Sequence, residues 1–343
     1  LGLRPAEAGE FSRRAFVNGK LDLTRAEAVA DLVEAETAAQ RRQALRQMDG
    51  VLDHLVEGWR ARLVGALALL EAEIDFADED LPDGLDRRLA AEVAALDRAI
   101  GAALDDRGRG DRLRDGYHVA LLGAPNAGKS SLLNRLAGRE AAIVSAQAGT
   151  TRDVIEIHLD LGGWPVVVAD PAGLREAAED IEAEGVRRAL ARAEQADLRL
   201  AVFDATLLPA LDAATLAVID DATLVVLNKR DRVAGPLPDQ IAGRPAVAVA
   251  ARTGEGLDSL LDRIVAWVAG GAGEGPPPVV TRARHRAALE ECRAALARFD
   301  PGAEPGLAAE DLRAAARALG RIGGRVEIDE VLDRIFSEFC IGK

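Results

Sequence analysis

The chain lacks any long apolar run: none of its stretches reaches the roughly 18 apolar residues that a membrane-spanning helix needs. It is also poor in cysteine, with only Cys292 and Cys340, and no secretory leader is apparent. These features argue against a membrane-spanning protein and against a secreted domain built on disulfides. We therefore expect a cytoplasmic protein without a membrane partner.

Lysine and histidine are scarce as well. Lysine and arginine total 43, yet only Lys20, Lys129, Lys229 and Lys343 are lysine. Because arginine carries the positive charge elsewhere, we expect lysine to persist mainly where a slim ammonium fits and a wide guanidinium does not. The 4 histidines lack metal-ligand spacing, and the net charge of −14 argues against broad, non-specific binding to nucleic acid.

The first long segment is helical in pattern. Apolar residues at three- and four-residue spacing predict helices over most of residues 20–116, the first part of a helical domain. Thr24-x-x-Glu27 matches a capping box at the start of one of these helices, and another helix is expected over Leu85–Leu104. Residues 105–116, "DDRGRGDRLRDG", are predicted to form a polar, glycine-rich linker.

The pattern then changes twice. Six short β-rich runs alternate with helical stretches over residues 117–270, which predicts a parallel-type sheet with flanking helices. Residues 271–280 are predicted to be a linker, and helical periodicity returns over 281–343, with breaks at "DPGAEPG" and "GRIGG". Since domain termini often lie close together, we predict one helical bundle domain built from both chain ends, with the α/β domain inserted.

A phosphate-binding motif follows the first β-rich run. Residues 123–130, "GAPNAGKS", match G-x-x-x-x-G-K-[ST] between a predicted strand and a predicted helix. The backbone N–H groups of such a loop surround phosphates at a helix N-terminus. We predict that Lys129 reaches the β- and γ-phosphates and that Ser130 holds Mg²⁺. The other predicted contacts in this loop are Asn126, Ala127, Gly128 and Ser131.

A second motif selects the base. Asn228-Lys229-Arg230-Asp231 follows a hydrophobic run and fits the pattern N-K-x-D. The carboxylate of Asp231 can accept hydrogen bonds from guanine N1–H and from the exocyclic N2 amine, whereas adenine offers no such pair of donors. Together with the P-loop, this motif predicts a Ras-like P-loop GTPase domain that takes GTP.

Two stretches between these motifs are predicted to sense Mg²⁺ and the γ-phosphate. Residues 170–173, "DPAG", form a D-x-x-G after a β-rich run, so Asp170 is expected to act on Mg²⁺ through water and the Gly173 N–H on the γ-phosphate. Thr150 and Thr151 lie in a loop rich in glycine and threonine. We favour Thr151 over Thr150 as the hydroxyl that completes the Mg²⁺ shell.

The motifs do not fix the group that orients the attacking water. Ras-like enzymes use a glutamine directly after D-x-x-G, but Leu174 occupies that position here. The adjacent acidic stretch offers several carboxylates that spacing alone does not rank: Glu176, Glu179, Asp180, Glu182 and Glu184.

Several stretches together resemble one family. They are "GEFSRRAFVNGKLDLTRAEAVADL", "GAPNAGKSSLLN", "GREAAIVSAQAGTTRDV", "DPAGLREA", "ARTGEG" and the terminal "FCIGK", which span nearly the whole chain. The chain resembles the MnmE (TrmE) family of tRNA-modification GTPases. The resemblance implies a GTPase domain inserted in a helical domain, preceded by a domain that binds a tetrahydrofolate derivative and dimerises the protein. Residues 1–19 would be the end of that mostly missing domain.

The resemblance also implies a reaction and further site residues. With MnmG, a flavoprotein that carries FAD, the family modifies C5 of the wobble uridine of certain tRNAs, and potassium stimulates its GTP hydrolysis. The family's potassium-binding asparagine matches Asn126, and its water-positioning glutamate matches Glu182. Where the family has S-A-R beside guanine, this chain has Ala250-Ala251-Arg252, and the Ala251 N–H can still reach guanine O6.

Two alternatives stay open. A regulatory GTP-dependent switch that binds an RNA or ribosomal partner would carry the same motifs, and "GRIGG" contains the G-x-x-G of RNA-binding KH loops. Cys340, in the terminal "FCIGK", does not fit a prenylation box. It is either a buried core thiol or part of a second functional centre for tRNA chemistry, with Lys20 nearby.

Overall fold

The computed structural model of this chain describes residues 4–75, 85–139, 141–143, 155–170, 196–272 and 276–325. The chain forms two compact units. The first takes the described residues up to Ala35, from Gln40 to Arg114 and from Pro276 onward. The second takes Glu36–Ala39 and the described part of Asp115–Gly275. The first unit is therefore assembled from two stretches that lie on either side of the second unit in the sequence.

The described helices and strands are given in chain order. The helices are α1 (Glu10–Val17), α2 (Leu23–Glu34), α3 (Ala38–Met48), α4 (Val51–Asp75), α5 (Leu85–Leu104), α6 (Arg109–Asp115), α7 (Lys129–Ala137), α8 (Ala213–Ala217), α9 (Leu257–Ala272), α10 (Ala283–Arg298) and α11 (Pro305–Gly323). The strands are β1 (Tyr117–Leu122), β2 (Ala142–Ile143), β3 (Ile155–Leu161), β4 (Trp164–Asp170), β5 (Leu198–Asp204), β6 (Thr223–Asn228), β7 (Gln240–Ile241) and β8 (Arg244–Ala248). Short 3₁₀ turns cover Ala205–Leu207 and Arg230–Arg232.

The core of the first unit lies between α4, α5, α10 and α11. Along α11, Leu312, Ala315, Leu319 and Ile322 are buried at three- and four-residue spacing, the pattern of a helix with one face against a core. Cys292 of α10 is buried in the same core, and burial raises the pKa of its thiol to about 12. This thiol stays protonated at neutral pH and is unreactive.

The capping box predicted at Thr24 and Glu27 is wrong. The cap of α2 is Asp22, whose carboxylate accepts hydrogen bonds from the Arg25 backbone N–H at 2.8 Å and from the Thr24 hydroxyl at 2.6 Å. Glu27 is only 2% exposed and turns towards α10 instead of back to the helix start. The sequence matched the capping-box pattern because a hydroxyl residue and an acid stand three positions apart. In the structure, however, the acid pairs with a residue that is distant in sequence.

Glu27 is the centre of a buried ionic cluster. Arg284 donates to both of its carboxylate oxygens at 2.6 Å, and the Nε2 atom of His285 lies 3.0 Å from one of them. The same guanidinium donates to the backbone carbonyls of Arg321 at 3.1 Å and Ile322 at 3.0 Å, in the last turn of α11. The cluster therefore ties α2, α10 and α11 together.

Only one of the two titratable groups of this cluster is charged at neutral pH. Burial would raise the pKa of Glu27, but His285 and Arg284 outweigh it and hold that pKa far below its ordinary value. Burial lowers the pKa of His285 in spite of the nearby carboxylate. Glu27 is thus ionised and His285 neutral at neutral pH, with the Nε2–H of the ring donating to the carboxylate.

The predicted linker at 105–116 contains a helix, α6. The Asp106 carboxylate accepts from the backbone N–H groups of Gly108 at 3.0 Å and Gly110 at 3.1 Å, which closes the turn into α6. Gly110 also packs on the backbone of Val280, where an added Cβ would stand 1.8 Å from the carbonyl oxygen. The glycine in this segment serves close packing rather than flexibility.

The other helical predictions are partly confirmed. The helix over Leu85–Leu104 is confirmed. The predicted linker at 271–280 begins too early, since α9 continues through Ala272. The predicted break at "GRIGG" comes later than expected, because α11 runs through Gly323 and ends at Gly324. The G-x-x-G of a KH loop is therefore the buried last turn of a helix, which argues against that RNA-binding motif.

The second unit is a sheet of eight described strands in the order β2-β3-β4-β1-β5-β6-β8-β7. All six β-rich runs predicted from the sequence are strands, and β4, β1, β5, β6 and β8 are parallel. The exceptions are β2, β3 and β7, which pair antiparallel with their neighbours. The two-residue turn Gly162–Gly163, with φ of 64° and 90°, joins β3 to β4 as a hairpin, a glycine pair that the sequence analysis overlooked.

The sheet carries apolar cover on both faces. Leucines of α7 and α9 pack on one face against the buried side chains of β1, β4 and β5. On the other face Phe203, Val225 and Leu227 pack with residues around α8 and the following loops. Within the described ranges, no helix is long and apolar enough to cross a membrane.

We expect Glu27→Gln to lower the free energy of unfolding by about 3 kcal/mol, because it leaves the mostly buried Arg284 guanidinium without its counter-charge. Urea unfolding followed by circular dichroism measures the change. The matched control is Glu71→Gln, whose carboxylate pairs with Arg313 at 2.9 Å on an exposed surface and should cost less than about 1 kcal/mol. Equal losses in the two variants would contradict the role given to the buried cluster.

Candidate functional site

The predicted nucleotide-binding residues gather at the carboxyl ends of the parallel strands. The P-loop leaves the end of β1, at the centre of the sheet, and Asp204 and Asn228 end β5 and β6 as direct partners in the sheet register. Open α/β sheets bind ligands at this edge, where loops from adjacent strands meet. The position of Asp204 at a strand end was a signal that the sequence analysis missed.

The P-loop has the geometry of a phosphate cradle. It turns through Asn126 at φ 65° and Gly128 at φ 99°, and Gly128 is the N-cap of α7. Asparagine tolerates this left-handed conformation and glycine adopts it freely. The Lys129 ammonium lies 2.8 Å from the carbonyl oxygen of Gly123 and 3.0 Å from that of Ala124, so it folds over its own loop. Ser130 and Ser131 follow on the first turn of α7 and are exposed.

The side chain of Asn228 joins this loop to the loop after β8. Its amide nitrogen donates to the carbonyl of Ala127 at 2.9 Å, and its amide oxygen accepts from the N–H of Ala251 at 3.1 Å. The side chain is only 2% exposed. It packs so closely on the P-loop that a Cβ on Gly128 would stand 2.1 Å from its nitrogen. Asn228 therefore sets the distance between the two loops.

Lys229 is held in an uncommon conformation. Its φ is 63°, a left-handed value that costs energy for a residue with a Cβ. The ammonium forms an ion pair of 2.6 Å with Asp204. Burial would raise the pKa of Asp204, but Lys229 and the donors of Thr206 outweigh burial and hold the pKa below its ordinary value. The extended lysine side chain thus lies across the edge of the sheet, from β6 to β5.

Asp231, the predicted guanine-reading residue, is paired within the described structure. Arg252 donates to its Oδ2 atom from Nη2 at 3.0 Å and from Nε at 3.3 Å. The Asp231 side chain is 13% exposed and that of Arg252 is 82% exposed. Because the Ala251 N–H already donates to Asn228, guanine O6 would have to share that donor. Ala250 is buried at the start of this loop.

Several predicted site residues lie outside the described residues. They are Thr150, Thr151, Gly173, Glu182 and Cys340. Asp170 is described only by its backbone, which ends β4 opposite Ile155. Lys20, which the sequence analysis placed near Cys340, lies on the exposed surface of the first unit.

Comparison with known proteins shows similarity to one protein family over nearly the whole chain. A family model described as "MnmE helical domain" matches residues 23–340. A protein of Paramagnetospirillum magneticum described as "tRNA modification GTPase MnmE" is 68% identical over 343 residues, which cover 100% of this chain and 78% of that protein. The chain belongs to the MnmE family. Proteins of the same description from Rhodospirillum rubrum and Caulobacter vibrioides are 58% and 52% identical, and cover 100% of this chain and 75% and 78% of those proteins.

Similarity to solved structures is more limited. The G domain of the FeoB iron transporter of T. maritima is 25% identical and covers 44% of this chain and 97% of that chain, with a TM-score of 0.32. The MnmE family is a family of GTPases, so the chain is a GTP hydrolase and uses GTP with Mg²⁺.

We expect Asn228→Ala to weaken GDP binding about tenfold or more, since it leaves the Ala127 carbonyl and the Ala251 N–H without their partner and frees the two loops. Titration with a fluorescent GDP analogue measures the dissociation constant. Asn134→Ala removes an exposed amide from α7 and should leave the constant within twofold. An unchanged constant for Asn228→Ala would show that the loops hold their positions without this side chain.

Proposed function

We propose that this protein is a potassium-stimulated GTPase whose hydrolysis of GTP drives modification of the wobble uridine of tRNAs at C5. The observation that carries the proposal is the meeting of the P-loop and the N-K-x-D motif at one sheet edge, where Asn228 connects them. Relatives that match the full chain are described as tRNA modification GTPases, which supports the same reaction for this chain.

The guanine site is proposed to use Asp231 and the loop of residues 250–252. Asp231 would accept from guanine N1–H and N2–H, while the Ala251 N–H would meet O6. Its partly buried position, 13% exposed, favours strong hydrogen bonds with a base that excludes water. The rest of the binding set is the P-loop group already named, with Lys129 on the β- and γ-phosphates.

The proposed Mg²⁺ ligands suit that ion. Mg²⁺ prefers oxygen donors and commonly keeps several waters. The Ser130 hydroxyl stands on the first turn of α7, directly beside the predicted phosphate cradle, and so fits a ligand that the ion shares with the phosphates. Thr151 and Asp170 are proposed to complete the shell, Asp170 through water. Bound there, Mg²⁺ would neutralise phosphate charge that develops during hydrolysis.

Two residues are proposed to act in hydrolysis itself. Leu174 directly after the D-x-x-G has no polar atom on its side chain, and Glu182 would orient the attacking water, as the resemblance to the family implies. Asn126 would hold K⁺ through its side-chain oxygen. Its exposed position and its left-handed backbone in the P-loop support that role.

The proposed reaction involves partners that bring their own cofactors. A flavoprotein of the MnmG type would supply FAD, and tRNA would be the substrate to be modified. A homodimer and a site for a tetrahydrofolate derivative are proposed with the family's N-terminal domain. Cys340 and Lys20 are proposed to belong to a second centre that serves the tRNA chemistry.

We expect GTP turnover to be faster in K⁺ than in Na⁺ at equal ionic strength, since K⁺ is proposed to bind at Asn126 and support hydrolysis. Steady-state phosphate release in the two salts measures the ratio. Asn126→Gly removes the amide while glycine keeps the left-handed backbone of φ 65°, so at saturating GTP this variant should lose the preference for K⁺.

Equal wild-type rates in the two salts would contradict the potassium assignment and favour a regulatory switch. If Asn126→Gly keeps the preference for K⁺, the ion binds at a position other than Asn126.

A further inference from the structure

Arg135 reaches from α7 to the loop proposed to contact guanine. It lies on the helix that begins with Lys129, nearly two turns further along. Its Nε atom donates to the carbonyl of Ala251 at 3.0 Å, and its Nη2 atom donates to the carbonyl of Arg252. One guanidinium thus holds two consecutive carbonyls, a use that its planar fork permits and a lysine ammonium does not match.

These contacts fix the part of the loop that Asn228 leaves free. Asn228 accepts from the N–H of Ala251, and Arg135 donates to the carbonyl of the same residue. Further along, the Gly254 N–H donates to the Ala250 carbonyl at 2.8 Å, which closes the turn. The peptide groups on both sides of Ala251 are therefore held by side chains from two other elements, Asn228 at the end of β6 and Arg135 of α7.

The loop has no polar side chain of its own at its first two positions. Ala250 and Ala251 end in methyl groups, so the path of the backbone here must be set by groups outside these two residues. Arg135 supplies two charge-assisted hydrogen bonds to that backbone, and such bonds are stronger than those between neutral groups.

The influence of Arg135 extends to the carboxylate that is proposed to read guanine. The backbone carbonyl of Arg252 is held by Arg135, and the Arg252 side chain donates to Asp231 Oδ2 at 3.0 Å. A shift of the backbone at Arg252 would move the guanidinium that orients Asp231. Arg135 is thereby linked to both proposed contacts with the base, the Ala251 N–H and the Asp231 carboxylate.

We infer that Arg135 is a positioning residue for guanine recognition: it anchors the backbone at Ala251 and Arg252 and so sets where the base can bind. The inference rests on the proposed guanine site. The side-chain hydrogen bonds of Arg135 go to the backbone at Ala251 and Arg252, beside the proposed guanine contacts, so its role is expected to show in the affinity for the base more than in the rate of hydrolysis.

The test compares three variants of the full chain. Arg135→Ala removes both donors, and Arg135→Lys keeps the charge but cannot reach two carbonyls as a fork. Arg139→Ala is the matched control, because it removes an arginine just beyond the same helix that pairs with Asp258 at 2.5 Å and not with the loop. The measurements are the dissociation constants for GDP and ADP and the kcat at saturating GTP.

Arg135→Ala should raise the GDP dissociation constant about tenfold, equivalent to about 1.4 kcal/mol, with kcat within twofold of the wild type. The GDP dissociation constant of Arg135→Lys should lie between those of the wild type and Arg135→Ala. That of Arg139→Ala should match the wild type. A GDP constant within twofold for Arg135→Ala would overturn the inference. So would an equal loss of kcat, which would show a general loss of structure.

A wild-type chain that binds ADP as well as GDP would instead overturn the proposed guanine site. The wild-type constants for GDP and ADP are measured before any variant is compared. A failure of the guanine site is therefore distinguishable from a failure of the role inferred for Arg135.

Discussion

The amide of Asn228 is the contact on which the nucleotide site depends. It is a buried side chain that carries both a donor group and an acceptor group: its NH2 donates to the P-loop and its oxygen accepts from the loop after β8. Neither a carboxylate nor an aliphatic side chain could make both contacts, because the first cannot donate and the second can do neither. Asn228 therefore joins the P-loop directly to the loop that is proposed to contact the base.

The sheet makes that contact available. Parallel pairing of β1, β5 and β6 brings the P-loop, Asp204 and Asn228 to one edge, and each strand is buried enough to hold its polar end residue in place. Lys229 keeps a strained, left-handed backbone in this arrangement, and its ammonium forms an ion pair with Asp204. Lysine is scarce in this chain, and its presence at position 229 has a local reason: a slender side chain crosses here between two strands.

The helical unit depends on a different constraint, the joining of two stretches far apart in sequence. Glu27 pairs with Arg284, 257 residues away, and the Glu27 carboxylate is shielded from water. Removing one partner of such a buried pair strongly destabilises the folded protein. The cluster links α2 to α10 and α11, and Gly110 lies on the backbone at Val280, so the second stretch is locked against the first at two separate places.

The features predicted correctly from the sequence are local ones. The six β-rich runs and the helix over Leu85–Leu104 depend on neighbours within a few residues, and pattern and composition record those. The errors depend on distant partners. Glu27 resembled a capping acid, and Gly110 resembled a flexible linker, because Arg284 and Val280 lie too far along the chain for any local pattern to include them. Arg135 was missed for the same reason, since its acceptors are backbone atoms 116 and 117 residues away.

The central claim is that GTP hydrolysis at this site drives tRNA modification. It is tested most directly by nucleoside analysis of tRNA from cells that lack the protein, complemented with the full-length wild type or with Lys129→Ala. The account predicts that C5-modified wobble uridines disappear in the deletion, return with the wild type and stay absent with the variant. Normal wobble uridines in cells without the protein would contradict it.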